Sequence, residues 1–165
     1  SAASDVYKRQ MFETFYLQTI FNSPIFILKH ELIKMPVFGW YLKKIGSVSV
    51  NRNKISKDNL GLIDKIKKSV KISDRPLIIF PQGTRVLPSE FIPFKKGVGR
   101  IYDELKIKCQ PVAVNSGKVW PKSGKLIPNK TITISILPPV KPGMEAVEFT
   151  SFIEKEIYNE LVLIN

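Results

Sequence analysis

At 165 residues, with 26 Lys and Arg against 14 Asp and Glu, the chain has the length of one domain with an ordinary core and a formal net charge of +12. That excess points to an anionic partner, whether phosphate ligands, acidic lipid headgroups or nucleic acid, without choosing among them. A lone Cys109 excludes an intramolecular disulfide and fits a reducing, cytoplasmic setting, and one Cys with one His at unrelated positions leaves no metal cluster to assemble.

In chain order, Met11 to Phe21 reads as a helix with Phe12, Phe15, Tyr16 and Ile20 on its apolar side, ended by Asn22-Ser23-Pro24. The longest uncharged stretch, Thr14 to Leu28, contains Gln18, Asn22, Ser23 and Pro24 and falls short of the ~20 apolar residues that span a bilayer. Ile25 to Leu28 follows as a short buried strand, and His30, between Lys29 and Glu31, as a strand-end surface histidine. Ser47 to Val50 is a second strand. Ser56 is placed to cap a helix Lys57 to Lys71, whose Leu60, Ile63, Ile66 and Val70 recur at helical spacing. Ten basic residues between Lys43 and Arg75 face only Asp58, Asp64 and Asp74, a concentration that a solvated helix face also explains.

Asp74-Arg75-Pro76 turns the chain into Leu77 to Phe80, expected as the buried central strand. Val98 to Leu105 reads as a helix, Cys109 to Val114 and Thr131 to Leu137 as strands, and Thr150 to Leu163 as a closing amphipathic helix. Strands alternating with helices imply an α/β fold with a mixed sheet and a site in the loops at strand ends. Neither repeats nor low-complexity tracts interrupt it, and the chain reads as a single domain.

The motif richest in chemistry is Phe80-Pro81-Gln82-Gly83-Thr84-Arg85, which ends an apolar run in a polar, cationic loop. Pro81 cannot donate to a sheet ladder, Gly83 admits close approach of backbone or ligand, and Arg85 carries a fork of donors suited to phosphate. The hexapeptide resembles the F-P-E-G-T-R signature of the glycerolipid acyltransferases, with Gln82 in place of Glu. Pro36-Val37-Phe38-Gly39-Trp40 is similar to the family's P-x-F-G-W segment, and Gly46-Ser47-Val48-Ser49-Val50-Asn51-Arg52 to its G-x-x-F-I-D-R block, with Asn51 for Asp. Phe94-Lys95-Lys96-Gly97 matches the F-K-x-G step that opens the next helix, and Gln110 to Gly117 resembles the V-P-V-A strand block. The resemblance runs from about Met11 to the end.

It implies a glycerol-3-phosphate-acyltransferase-like fold. The implied chemistry moves an acyl group from acyl-CoA or acyl carrier protein to the hydroxyl of 1-acyl-glycerol 3-phosphate, giving phosphatidate, with the acyl donor as a substrate and no further cofactor. The family's general base is the His of H-x-x-x-x-D. Here Glu13 stands where the acid belongs and Lys8 where the His belongs. His30 cannot replace it, because Met35 five residues on can neither accept a proton nor orient an imidazole. Ser1 to Gln10 departs from the family pattern and reads as a non-native leader, leaving residues 11–165 as an acyltransferase domain incomplete at its N-terminus and without its base.

By the same resemblance, Arg52 and Arg85 hold the acceptor's phosphate, with Asn51, Gln82, Gly83, Thr84 and Gly97 beside them and Lys95 and Lys96 adding positive field. Glu13 would orient and steady the imidazole; a first-turn carboxylate favoured by the helix dipole is the lesser alternative and is compatible with that role. Lys95 and Lys96 read equally as a solvated pair. Pro111 lines or supports an acyl pocket. Phe38, Trp40 and Tyr41 are apolar enough for a bilayer interface, with core packing the default expectation. The implied location is the cytoplasmic face of a membrane, peripheral or anchored by a missing N-terminal segment. A lyso-ornithine lipid or glycerol 3-phosphate as acceptor, or a non-catalytic module for anionic lipid, are the alternatives. Nucleic acid has only charge in its favour, for no helix-turn-helix, zinc or aromatic ribonucleoprotein motif is present.

Overall fold

The structure, a computed structural model, describes residues 2–50, 58–84, 86–121 and 125–165. In order the elements are α1 (Ala2–Ile20), β1 (Ile25–Lys29), α2 (His30–Ile33), α3 (Phe38–Lys44), β2 (Val48–Val50) and α4 (Asp58–Ser73). β3 (Leu77–Ile79), α5 (Gly97–Leu105), β4 (Val112–Val114), α6 (Ser116–Val119), β5 (Ile134–Ile136) and α7 (Ala146–Ile164) complete the chain. Contacts group it into two compact units, Gln10–Phe80 and Ser1–Arg9 with Pro81–Asn165. The α/β class holds: one unit carries a parallel sheet, the other an antiparallel pair.

In the Gln10–Phe80 unit the parallel strands run in the order β2-β1-β3, with Ile27 opposite Val48 and Ile25 opposite Leu77. The expected central strand, Leu77 to Phe80, is therefore an edge among the described residues, and its three strand residues are only half-buried. β1 takes the centre because Ile25, Phe26 and Leu28 are an unbroken apolar run that can be covered on both faces. Phe80 stacks on Phe26 at 6.4 Å and so carries the end of β3 onto that core.

The first helix starts earlier than expected, and its inward face differs. Thr14 and Leu17 are buried while Phe15, Tyr16 and Ile20 are exposed. Thr14 can go inside because its hydroxyl donates to the Gln10 carbonyl at 2.7 Å, satisfying the polar group within the helix. Phe15 meets Phe38 (5.6 Å) and Tyr41 (4.8 Å), and burial raises the Tyr41 phenol above its ordinary pKa.

Two short helices, α2 and α3, went unread because each is too brief to display a period. Between them Val37 has φ +60° and ψ −59°, and Phe38 N–H donates to the Pro36 carbonyl at 2.6 Å, a γ-turn. The glycine of the P-x-F-G-W segment has a steric reason: a Cβ on Gly39 would lie 2.1 Å from the Ile33 carbonyl oxygen. Phe38 packs in the core at 3% exposure, whereas Trp40 stands 64% exposed with the Lys44 ammonium 4.8 Å above its ring. His30, expected as a strand-end surface residue, instead opens α2 directly after β1 and is half-buried, its Nδ1 lying 3.3 Å from the Ser49 hydroxyl.

Arg75 is engaged with the backbone of its own unit. Its guanidinium donates to the carbonyls of Ser23 (2.5 Å), Pro24 (3.3 Å) and Ile45 (2.6 Å), tying three loops of this unit together. Of the lysine-rich helix, α4, Ile66 reaches the core while Lys65, Lys68 and Lys71 are exposed. The expected cap Ser56 and the helix start Lys57 lie outside the described residues.

In the other unit, α5 and α7 lie close enough that Tyr102 and Phe149 stack at 3.6 Å. Gly99 allows this, since a Cβ there would come within 2.0 Å of the Ala146 carbonyl oxygen. α7 begins four residues before the expected Thr150 because the Glu145 carboxylate caps it, accepting from Val147 N–H (2.9 Å) and Glu148 N–H (3.3 Å). β4 is shorter than the expected Cys109 to Val114: Cys109 makes one isolated antiparallel bridge to Val140, and Pro111, lacking an N–H, precedes the ladder. Asn115 closes the strand end, accepting from Thr133 N–H and donating to the Ile164 carbonyl, both at 2.7 Å.

Candidate active site

Pro81 does what its missing N–H dictates. β3 stops at Ile79, and the Pro81 carbonyl is left to accept the Lys95 N–H at 2.9 Å. That one bond joins two segments that stand apart in sequence, the loop Pro81–Thr84 and the step Phe94–Gly97. Gly83, buried at φ +67°, makes the turn that a side chain would strain. Thr84, Lys95, Lys96 and Gly97 are exposed around it.

The joined segments sit at the start of α5. No side chain caps that end and no acidic residue occupies its first turn. The first turn of a helix has backbone donors with no intrahelical acceptor and the positive end of the helix dipole, so this mouth favours an anion. Lys95 and Lys96 add charge of the same sign.

A second layer comes from α7. Tyr158 packs its ring edge-on to Phe91 (4.9 Å) and tilted against Phe94 (5.3 Å), and its hydroxyl donates to the Ile92 carbonyl at 2.5 Å. Gln82 donates from Nε2 to the same hydroxyl at 3.2 Å. One turn back on α7, Glu154 accepts the Phe94 N–H at 2.6 Å. A shallow pocket of about 40 Å³ opens beside this network, lined by Gln82, Val86, Phe91, Asn115, Lys118 and Tyr158 among others. Its size suits a few water molecules or one small polar group.

Of the residues singled out in the sequence, the structure brings together Gln82, Gly83, Thr84, Lys95, Lys96 and Gly97. Pro111 is buried at the foot of β4, its carbonyl accepting from Leu137 N–H at 3.0 Å. Glu13 is half-buried on α1 in the Gln10–Phe80 unit. Because α1 starts at Ala2, Glu13 is far beyond the first turn, and the helix-dipole explanation of that carboxylate fails. Asn51, Arg52 and Arg85 lie outside the described residues.

Tyr158 and Glu154 were invisible as site residues. Both lie in a helix that reads simply as amphipathic, and only their spacing of four, one helical turn, hinted that they act on one face. Cys109 belongs to no nucleophile: burial pushes its thiol up to about 11. Among the described residues no three His, Cys, Asp or Glu side chains converge to hold a metal, and no helix is long and apolar enough to cross a membrane.

Residues 10–115 match the family model described as Acyltransferase. Over 114 residues the chain is 31% identical to the 1-acyl-sn-glycerol-3-phosphate acyltransferase of Pseudomonas aeruginosa, covering 68% of this chain and 43% of that protein. Over 117 residues it is 34% identical to the enzyme of that name from Helicobacter pylori, covering 68% and 48%. The chain thus spans about half the length of the curated relatives it matches. The crystal structure of the 1-acyl-sn-glycerophosphate (LPA) acyltransferase PlsC from Thermotoga maritima superposes with a TM-score of 0.68 over 86% of this chain and 56% of that one. At 21% identity, that likeness establishes a shared fold.

Proposed function

Because the chain belongs to the acyltransferase family, we propose that it is the acceptor-binding part of an O-acyltransferase that converts 1-acyl-glycerol 3-phosphate to phosphatidate. The observation that carries this is the Pro81–Lys95 backbone bond, which places the F-P-Q-G-T-R loop at the uncapped, lysine-flanked start of α5. The names of the relatives support the choice of acceptor.

In this reading the acceptor hydroxyl attacks the thioester carbonyl of acyl-CoA or acyl carrier protein. The ester C–O bond forms, the C–S bond breaks, and the hydroxyl proton passes to a base and finally to the thiolate. Arg85, next in sequence after Thr84, and Arg52 hold the phosphate by bidentate contacts. Glu13 is the acid that orients and steadies an imidazole five residues ahead of it. This chain has Lys8 there, and a lysine of ordinary pKa is neutral only to the order of one part in a thousand near pH 7. The 165-residue chain therefore binds acceptor without turning it over. The exposed Val37 and Trp40, with Lys43 and Lys44 following on α3, suit contact with an anionic bilayer surface at the cytoplasmic face.

Two experiments test this. Short-chain lysophosphatidate should bind the chain and outcompete a lyso-ornithine lipid and glycerol 3-phosphate. Arg85→Ala or Arg52→Ala should weaken that binding by about ten- to a hundredfold, as loss of a charge-assisted contact of ~1.5–3 kcal/mol implies, with Lys65→Ala and Lys68→Ala near neutral. Equal small effects from all four would mean the motif arginines are ordinary surface charge. Acyl transfer should appear only with Lys8→His, and comparable turnover by the unchanged chain would refute the role given to that position.

A further inference from the structure

The hydrogen bonds around Tyr158 fix which atoms carry protons. Its hydroxyl lies 2.5 Å from the Ile92 carbonyl oxygen, which can only accept, so the single phenolic proton is committed there. Any group meeting the remaining lone pairs of that oxygen must donate. Gln82 does so with its amide nitrogen at 3.2 Å. A glutamate, the usual letter of the F-P-E-G-T-R signature, has no proton to give at neutral pH. It could join this network only by drawing the phenolic proton away from Ile92 and leaving that carbonyl unpaired. The Gln of this chain and the tyrosine 76 residues later are thus a chemically matched pair.

The pair spans the candidate site. Ile92 and Phe94 are held to α7 from one side, by the Tyr158 hydroxyl and the Glu154 carboxylate, and Gln82 from the other. Gln82 is followed at once by Gly83, whose left-handed backbone sets the direction of Thr84. We propose that Tyr158 is a positioning residue: acting through the Gln82 amide, it holds the Pro81–Thr84 loop in the orientation that receives the acceptor's phosphate. The proposal rests on the acyltransferase reading above and adds to it a residue outside the family's motif blocks.

The test uses the chain as it stands and measures the affinity of a short-chain lysophosphatidate relative to the monoacylglycerol of the same acyl chain. This ratio isolates recognition of the phosphate, which a merely structural role for Tyr158 would not move. Tyr158→Phe keeps the ring between Phe91 and Phe94 and should lower the ratio about three- to tenfold, the value of one hydrogen bond, with the melting temperature nearly unchanged. Gln82→Ala should lower it similarly, and the double variant should be no worse than the poorer single one, because both break the same link. Val162→Ala, at an exposed position of α7, should leave the ratio alone. A ratio unaltered by Tyr158→Phe, effects that multiply in the double variant, or equal losses for both ligands would overturn the positioning role while leaving the acceptor reading intact. An unmodified chain that fails to prefer lysophosphatidate would overturn both.

Discussion

Replacing Gly99 by alanine should be far more damaging than replacing Gly61, although both are helical glycines. At Gly99 the added Cβ would lie 2.0 Å from the Ala146 carbonyl oxygen and 2.3 Å from Thr150 Oγ1. The nearer neighbour is backbone of α7 and cannot rotate away. To reach an ordinary contact of 3.4 Å the two helices must part by about 1.4 Å. Tyr102 and Phe149, stacked at 3.6 Å, would separate by a similar amount, and a gap of even 0.5–1 Å forfeits a quarter to a half of each dispersion contact. Overpacking of this kind costs about 1–3 kcal/mol, and loss of the stack places Gly99→Ala at the upper end, ~3 kcal/mol. At Gly61, exposed at the end of the first turn of α4, nothing lies within 4 Å of the added methyl, so Gly61→Ala should stabilise by up to about 0.5–1 kcal/mol through helix propensity. Urea denaturation followed by circular dichroism compares the two midpoints at constant slope. A Gly99→Ala protein within 0.5 kcal/mol of wild type would show that α5 and α7 do not meet as described.

Arg75→Ala should destabilise by about 2–4 kcal/mol, because three carbonyls in two loops, Ser23-Pro24 and Ile45, lose a charged donor, and Arg75→Lys should recover only part, since an ammonium cannot reproduce the fork. Indifference to both changes in thermal unfolding would remove its clamping role. The thiol of Cys109, raised from 9.0 to about 11 by burial, should resist alkylation at pH 8 in the native state and react once the chain is unfolded. With the folded pKa above the unfolded one, its contribution is fully present below pH 9 and is lost as pH rises from about 9 to about 11, by about 2–3 kcal/mol, unlike in Cys109→Ala. Anionic vesicles should blue-shift the fluorescence of Trp40, and Lys43→Ala or Lys44→Ala should each weaken vesicle binding by up to ~1 kcal/mol. A shift that survives in Trp40→Ala would assign it to Trp120 and remove α3 from the membrane contact.

Local chemistry was enough to read several features directly. A four-residue apolar run behind Pro24, rich in isoleucine and phenylalanine, marks Ile25 to Leu28 as a covered strand, Pro81 must end the strand before it, and the spacing of Ile63, Ile66 and Val70 has a helical period wherever the chain is placed. The motif residues were legible for the same reason: a turn glycine and cationic side chains carry their chemistry with them. What remained hidden depended on pairing between distant segments. Which strand is central was decided by competition for cover, and β1 won it over Leu77–Ile79. Arg75 was one basic residue among ten until the carbonyls of Ser23, Pro24 and Ile45 were folded around it. Gln82 read as a departure from a signature, and only the arrival of Tyr158 from α7 gave its amide proton an acceptor. A hydrogen bond needs its donor and acceptor within about 3 Å, and across 76 residues of sequence only the tertiary fold sets that distance.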